Sequence, residues 1–124
     1  MPRTAKFKGS FQILGTDGKS IEIRQDVDFS VLFDQLAHIV TQIPANTADE
    51  QISLGGITTA TAVYIEPTDT STGVALSVDV AFEAVGNTSH KINGPSVFFG
   101  AITDVFITTP VASDATILII AAGT

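Results

Sequence analysis

Ile52-Ser53-Leu54-Gly55-Gly56-Ile57-Thr58-Thr59-Ala60-Thr61-Ala62-Val63-Tyr64-Ile65-Glu66-Pro67 is the stretch on which the fold turns. Ile52 and Leu54 alternate with polar residues and run into a Gly-Gly break, which reads as a strand followed by a turn or bulge. The run after Gly56 is rich in Thr, Val, Ile and Tyr, the residues that suit a pleated surface. Its odd positions, from Ile57 to Ile65, share one face and its even positions, from Thr58 to Glu66, the other. Neither face carries a charge before Glu66, which predicts a strand well inside a sheet, closed by Pro67.

Working outward, Thr68-Asp69-Thr70-Ser71-Thr72-Gly73 is a turn of small residues whose side chains bond nearby backbone. Val74, Leu76, Val78, Val80 and Phe82 then alternate with smaller or polar residues, predicting a half-buried strand over 74–83. Gly86-Asn87-Thr88-Ser89 and Asn93-Gly94-Pro95 are further turns. Short strands are expected at Val97-Phe98-Phe99 and from Asp104 to Thr109. Thr116 to Ala121 is apolar on both faces, so both must be covered, by the fold or by another subunit.

On the N-terminal side, Pro44 to Gln51 reads as a loop. Residues 29–41 fit two periods. Val27, Phe29, Val31 and Phe33 alternate as a strand does, whereas Phe29, Leu32, Phe33, Leu36 and Val40 fit a short helix. The reading adopted is a strand through Phe33 and a second extended piece ending near Ile43. Before it, Asp17-Gly18 marks a tight hairpin turn joining roughly 6–13 to 20–25. The expectation is one all-β domain over 1–124, an antiparallel sandwich or small barrel of about eight to ten short strands with at most one short helix.

The chain has 124 residues, no cysteine and a net charge of −7. That length suits one domain. Without cysteine there is no disulfide and no thiolate chemistry. The acidic balance argues against a nucleic-acid partner, because phosphate neutralisation needs clustered Lys and Arg. The apolar run from Ala115 to Gly123 is too short to cross a bilayer, and Met1 to Lys6 lead into no apolar core, so neither membrane insertion nor a secretory leader is expected. Arg3, Lys6 and Lys8 form a basic N-terminal arm over 1–8 that could reach a partner; the alternative is the wet side of a first strand.

The chemistry on offer is sparse. His38 and His90 are isolated, and no metal-binding spacing of His or Cys occurs. Asp26-x-Asp28 and Asp69-Thr70 lack the ligand count of a calcium loop. Thirteen acids supply chance carboxylate pairs, a weak basis for glycoside hydrolysis. With no Trp and one Tyr, aromatic platforms for sugars are scarce. No enzyme activity, cofactor or metal is expected.

From His38 onward the order of features resembles a group of small tailed-bacteriophage virion proteins. The matching pieces are Ile43-Pro44-Ala45-Asn46-Thr47, then Ile52-Ser53-Leu54-Gly55-Gly56, then the Thr/Ala-rich run from Thr58 to Asp69. The alternating Val74–Phe82, the Asn93-Gly94 turn and the closing β strand follow in the same order. Where relatives carry a Pro-Gly-Glu-like turn, this chain has Asn93-Gly94-Pro95. The resemblance implies a jelly-roll sandwich and a place in the virion, reached from the host cytoplasm, as a capsid decoration protein bound to the major capsid protein. The alternative is a tail or fibre accessory module bound to another virion protein, as an adaptor or baseplate piece or as a host-surface glycan binder. No catalytic residue is carried over. Self-association, as a homotrimer, is expected through the doubly apolar strands, with Ile117, Ile119 and Tyr64 as interface residues.

Overall fold

The computed structural model describes residues 3–14, 20–84 and 89–124. Strands β1 (Arg3–Leu14) and β2 (Ser20–Phe33) form a two-stranded ribbon. Eight more follow: β3 (Gln35–Ile43), β4 (Glu50–Ile52), β5 (Ala60–Asp69), β6 (Val78–Phe82), β7 (His90–Ile92), β8 (Ser96–Ile102), β9 (Val105–Thr108) and β10 (Ala115–Gly123). No helix occurs among the described residues. The expected Asp17-Gly18 turn and most of the 86–89 turn lie outside them.

The eight strands make two four-stranded sheets, ordered β3-β10-β5-β8 and β4-β9-β6-β7. Their logic is that of one long hairpin. β3 pairs with β10, β4 with β9, β5 with β8 and β6 with β7, all antiparallel. Rolled up, this hairpin is sealed sideways where β10 meets β5 and β9 meets β6. Two sheets so ordered are a jelly roll, an antiparallel sandwich.

Between the sheets lies a dry core. Ile43, Val63, Ile65, Ile117 and Ile119 from the first sheet meet Ile52, Val78, Val80, Val105 and Ile107 from the second. Alternation places each on the inner face of its strand. The 29–41 ambiguity resolves as strand on both sides of a bend at Asp34, whose N–H donates to Gly123 O at 2.9 Å. Ladders outcompete the helix because β3 finds a full-length partner in β10.

Two boundaries differ from the sequence reading. β5 continues through Pro67 to Asp69. Pro67 O accepts from Leu76 N, so its imide nitrogen faces away from β10 and its missing N–H interrupts no β10 bond. The alternating run 74–82 is divided between the sheets. Thr68 bridges Ala75 beside the end of β5, and the strand proper begins only at Val78. The intervening turn is as expected: Asp69 Oδ1 accepts from Ser71 N and Thr72 N at 2.8 and 3.2 Å, and Gly73 takes φ +74°.

The loop after β3 is fastened to the far end of β9. Buried Thr109 donates its hydroxyl to Pro44 O at 2.7 Å, and Thr47 N donates to that hydroxyl at 2.9 Å. Gly123 closes the other end. A Cβ there would lie 2.1 Å from Thr59 O and 2.7 Å from Ala60 Cα, both backbone. Gly123→Ala must therefore move main chain, at a cost of about 1–3 kcal/mol. A melting temperature lower by roughly 5–15 °C in a calorimetric scan is the expected result.

Candidate functional surface

The two sheets differ in what they show to the outside. On β4-β9-β6-β7 the outward positions include Asp79, paired with Lys91 at 3.4 Å, together with Thr108 and Gln51. The neighbouring outward row runs Gln51, Phe106, Ala81, of which Phe106 and Ala81 are buried, so this face is polar along one row and covered along the other. The register of β3-β10-β5-β8 builds its outer face row by row. Leu36, Ala122, Ala62 and Phe99 form one row across the four strands. His38, Ile120, Tyr64 and Val97 form the next, and Val40, Leu118 and Glu66 the third. Apart from His38 and the margin at Glu66, nothing in these rows is polar but the Tyr64 hydroxyl.

Several of these side chains stand well into solvent: Val40 is 64 % exposed, Leu36 52 %, Phe99 40 % and Ile120 38 %. Singly, exposed apolar residues mean little; contiguous over three rows, they mark an interaction surface. A shallow depression of about 210 Å³ lies within it, lined by Leu36, Ala62, Tyr64, Val97 and Ile120, with Lys6 of the ribbon at its edge. Tyr64 Oη donates to Glu66 Oε2 at 2.8 Å. That bond raises the phenol pKa above its usual value, with burial and the Glu66 charge adding to the effect. The phenol is thus held neutral and tied to Glu66 of its own strand.

Of the expected interface residues, Tyr64 is on this face and half-buried. Ile117 and Ile119 are not: both are fully buried between the sheets. On β10 the outward pair is Leu118 and Ile120, while Ile117 and Ile119 point into the core. With two apolar faces on β10, no contrast in its sequence distinguishes inside from outside; the partner register decides. The alternation of Leu36, His38 and Val40 was the available signal for the rest of the face. Arg3, Lys6 and Lys8 lie on β1, opposite Phe33, Ser30 and Asp28. They are strand residues of the ribbon, with Lys6 and Lys8 exposed.

The other concentration of polar chemistry is at the β8–β9 turn. An open cleft of about 340 Å³ there is lined by Gln51, Ser53, Leu54, Ile57, Thr103 and Asp104. Glu83, just after β6, takes φ +76°, and Ala84 N bonds back to Phe82 O at 2.9 Å, a γ-turn of the strained hand. What holds it is a set of bonds across the turn. Glu83 N donates to Asp104 O at 3.0 Å, Thr103 N to Glu83 Oε1 at 3.0 Å, and the Thr103 hydroxyl to Glu83 Oε2. Gln51 Nε2 donates to Asp104 Oδ1 at 2.9 Å. The carboxylates of Glu83 and Asp104 are engaged in tying three segments together. His90 lies beside Phe82 and Phe98, with ring centroids at 6.1 and 6.3 Å, and His38 is on the apolar face. Among the described residues no group of three His, Cys, Asp or Glu could hold a metal.

No protein-family model matches the chain, and neither does any curated protein or solved structure.

Two outcomes follow from this geometry. Ile119→Asp buries an unpaired carboxylate at a position with no solvent access, so it should cost on the order of 4 kcal/mol or more and abolish the cooperative melt. Glu83 titrates below the ordinary glutamate value, chiefly through the Thr103 hydroxyl and then the Thr103 N–H. Its stabilising effect is present above the unfolded-state value and is lost as pH falls through the lowered folded one. An NMR pH titration should place the Glu83 midpoint under that of a free glutamate, and Thr103→Val should move it upward.

Proposed function

We propose that the chain is a non-enzymatic structural protein of a bacteriophage virion, a decoration protein that binds the assembled capsid shell. The observation that carries this is the contrast within one jelly roll. Its polar loop groups are engaged in fastening the scaffold, while three neighbouring rows on one sheet exterior, from Leu36 to Val40, are largely apolar and partly exposed. Such a body offers surface and rigidity, the properties a shell-bound protein uses, and jelly rolls recur in viral capsids. The order of sequence features from His38 onward points the same way.

Charge favours docking through the ribbon. Residues 1–33 hold five of the six basic residues and four of the thirteen acids; residues 34–124 hold Lys91 and nine acids. The ribbon is therefore the one part of the chain suited to an acidic patch on a shell or on another virion protein, such as a tail or fibre component. Attraction of this kind speeds encounter and fades with salt.

The test is co-sedimentation with shells assembled from the major capsid protein of the phage whose genome encodes this chain. Binding should occur at low salt and weaken near molar salt. Lys6→Gln with Lys8→Gln should weaken it by roughly fivefold without changing the melt. Failure to bind shells, combined with binding to tails or to a glycan array, would replace this reading with the accessory one.

A further inference from the structure

Asn93-Gly94 is the one Asn-Gly pair in the sequence, since Asn46 and Asn87 each precede a threonine. It lies in the link between β7 and β8, where the chain leaves one sheet for the other. The β6–β7 register pairs Val78 with Ile92, so Ser77 and Asn93 stand opposite one another, one position beyond the ladder. There the Ser77 hydroxyl donates to Asn93 Oδ1 at 2.6 Å. Gly94 brings the complementary features. Its backbone N–H donates to no acceptor among the described residues. A Cβ at Gly94 would meet no heavy atom within 4 Å, so the space around it is open.

We propose that Asn93 is a modification site, which deamidates through a cyclic imide without an enzyme. Hydroxide removes the Gly94 amide proton, and the nitrogen attacks Asn93 Cγ. A Cγ–N bond forms and the carbonyl π pair moves onto Oδ1. The Ser77 hydroxyl, already bonded to that oxygen, stabilises the charge developing there. When the pair returns, the Cγ–Nδ2 bond breaks, and Nδ2 takes a proton from water and leaves as ammonia, which restores the hydroxide. Water then opens the imide at either carbonyl. One product is aspartate; the other is isoaspartate, whose main chain runs through the former side chain. No step is a redox step. Ring closure is intramolecular, between atoms of two adjoining residues, and glycine has no Cβ to crowd the approach of its nitrogen.

The position of the pair decides the consequence. Either product replaces a neutral amide by a carboxylate, two residues from Lys91, which pairs with Asp79. Isoaspartate also adds a main-chain atom to the link, which Ser96 fastens by donating its hydroxyl to Gly94 O at 3.1 Å. The outer surface thus records the age of the chain as charge.

The inference does not rest on the capsid reading. Full chain is held at mildly alkaline pH and physiological temperature, sampled over days and digested with trypsin. The last tryptic peptide, residues 92–124, has Asn93 as its only amide side chain, so a mass gain of about 1 Da there reports this site alone. Conversion should run roughly tenfold or more ahead of that in peptide 25–91, which holds Asn46 and Asn87. Gly94→Ala, at a position without positive φ and with open space for the methyl, should slow it roughly tenfold and leave the melt unchanged. Ser77→Ala should slow it roughly threefold, and Ser77→Thr should restore the rate. An Asn93 that stays intact while peptide 25–91 converts, or a rate indifferent to Gly94→Ala or to Ser77→Ala, would overturn the proposal.

Discussion

The register of β10 is the constraint on which the rest depends. Ala115 to Gly123 pair on one edge with β3 and on the other with β5, so nine consecutive residues have their neighbours fixed on both sides. Parity follows at once. Ile117, Ile119 and Ala121 fill the core, and Leu118, Ile120 and Ala122 go outside. A slip of one residue would exchange the two sets. Because both sets are apolar, the sandwich would lose little greasiness by slipping; it would lose fit. The ends of the strand prevent this. Gly123 lies against the Thr59 and Ala60 backbone with no room for a side chain, and Thr124 exchanges hydrogen bonds with Thr59 in both directions.

The same property explains what the sequence disclosed and what it withheld. Strand content, the turn at 68–73 and the interior place of β5 were all legible, since each rests on local residue chemistry: alternation, β-branching, and Asp69 bonding the backbone ahead of it. The reading failed where two strand faces look alike. Ile117 and Ile119 could not be told from Leu118 and Ile120 by any local rule, because the difference lies in partners tens of residues away. Nor could the break between Ala75 and Val78 be seen in an unbroken alternation, since the chain there changes sheets without changing its pattern. The polar loops were visible as loops. Their bonding, with Glu83 in a strained turn tied to Thr103 and Asp104, needed the fold to bring β6 and the β8–β9 turn together.

The contrast between the two sheets carries the functional argument. The sheet bearing Lys91 and Asp79 pairs those two charges on its outer face, and its outward Phe106 and Ala81 are already buried. The sheet bearing Leu36, Val40 and Ile120 is a half-made core, with apolar side chains on both faces and cover on one. The scaffold thus spends its polar loop groups on itself and leaves three largely apolar rows open on one sheet exterior.

The rolled-hairpin order also fixes when this protein becomes a protein. β3 and β5 never touch directly; they are joined only through β10, which emerges in synthesis after everything else in both sheets. Until it arrives, β3 and β5 each hold an open edge and an apolar exterior, while the β6–β7 tip can already form. Contacts between such distant strands are slow to close, because the entropy of a long loop must be lost before any of them is made. The nascent chain therefore passes through a stage in which its most adhesive surface is present and its fold is not. During that interval, correct closure competes with pairing to a neighbouring nascent chain.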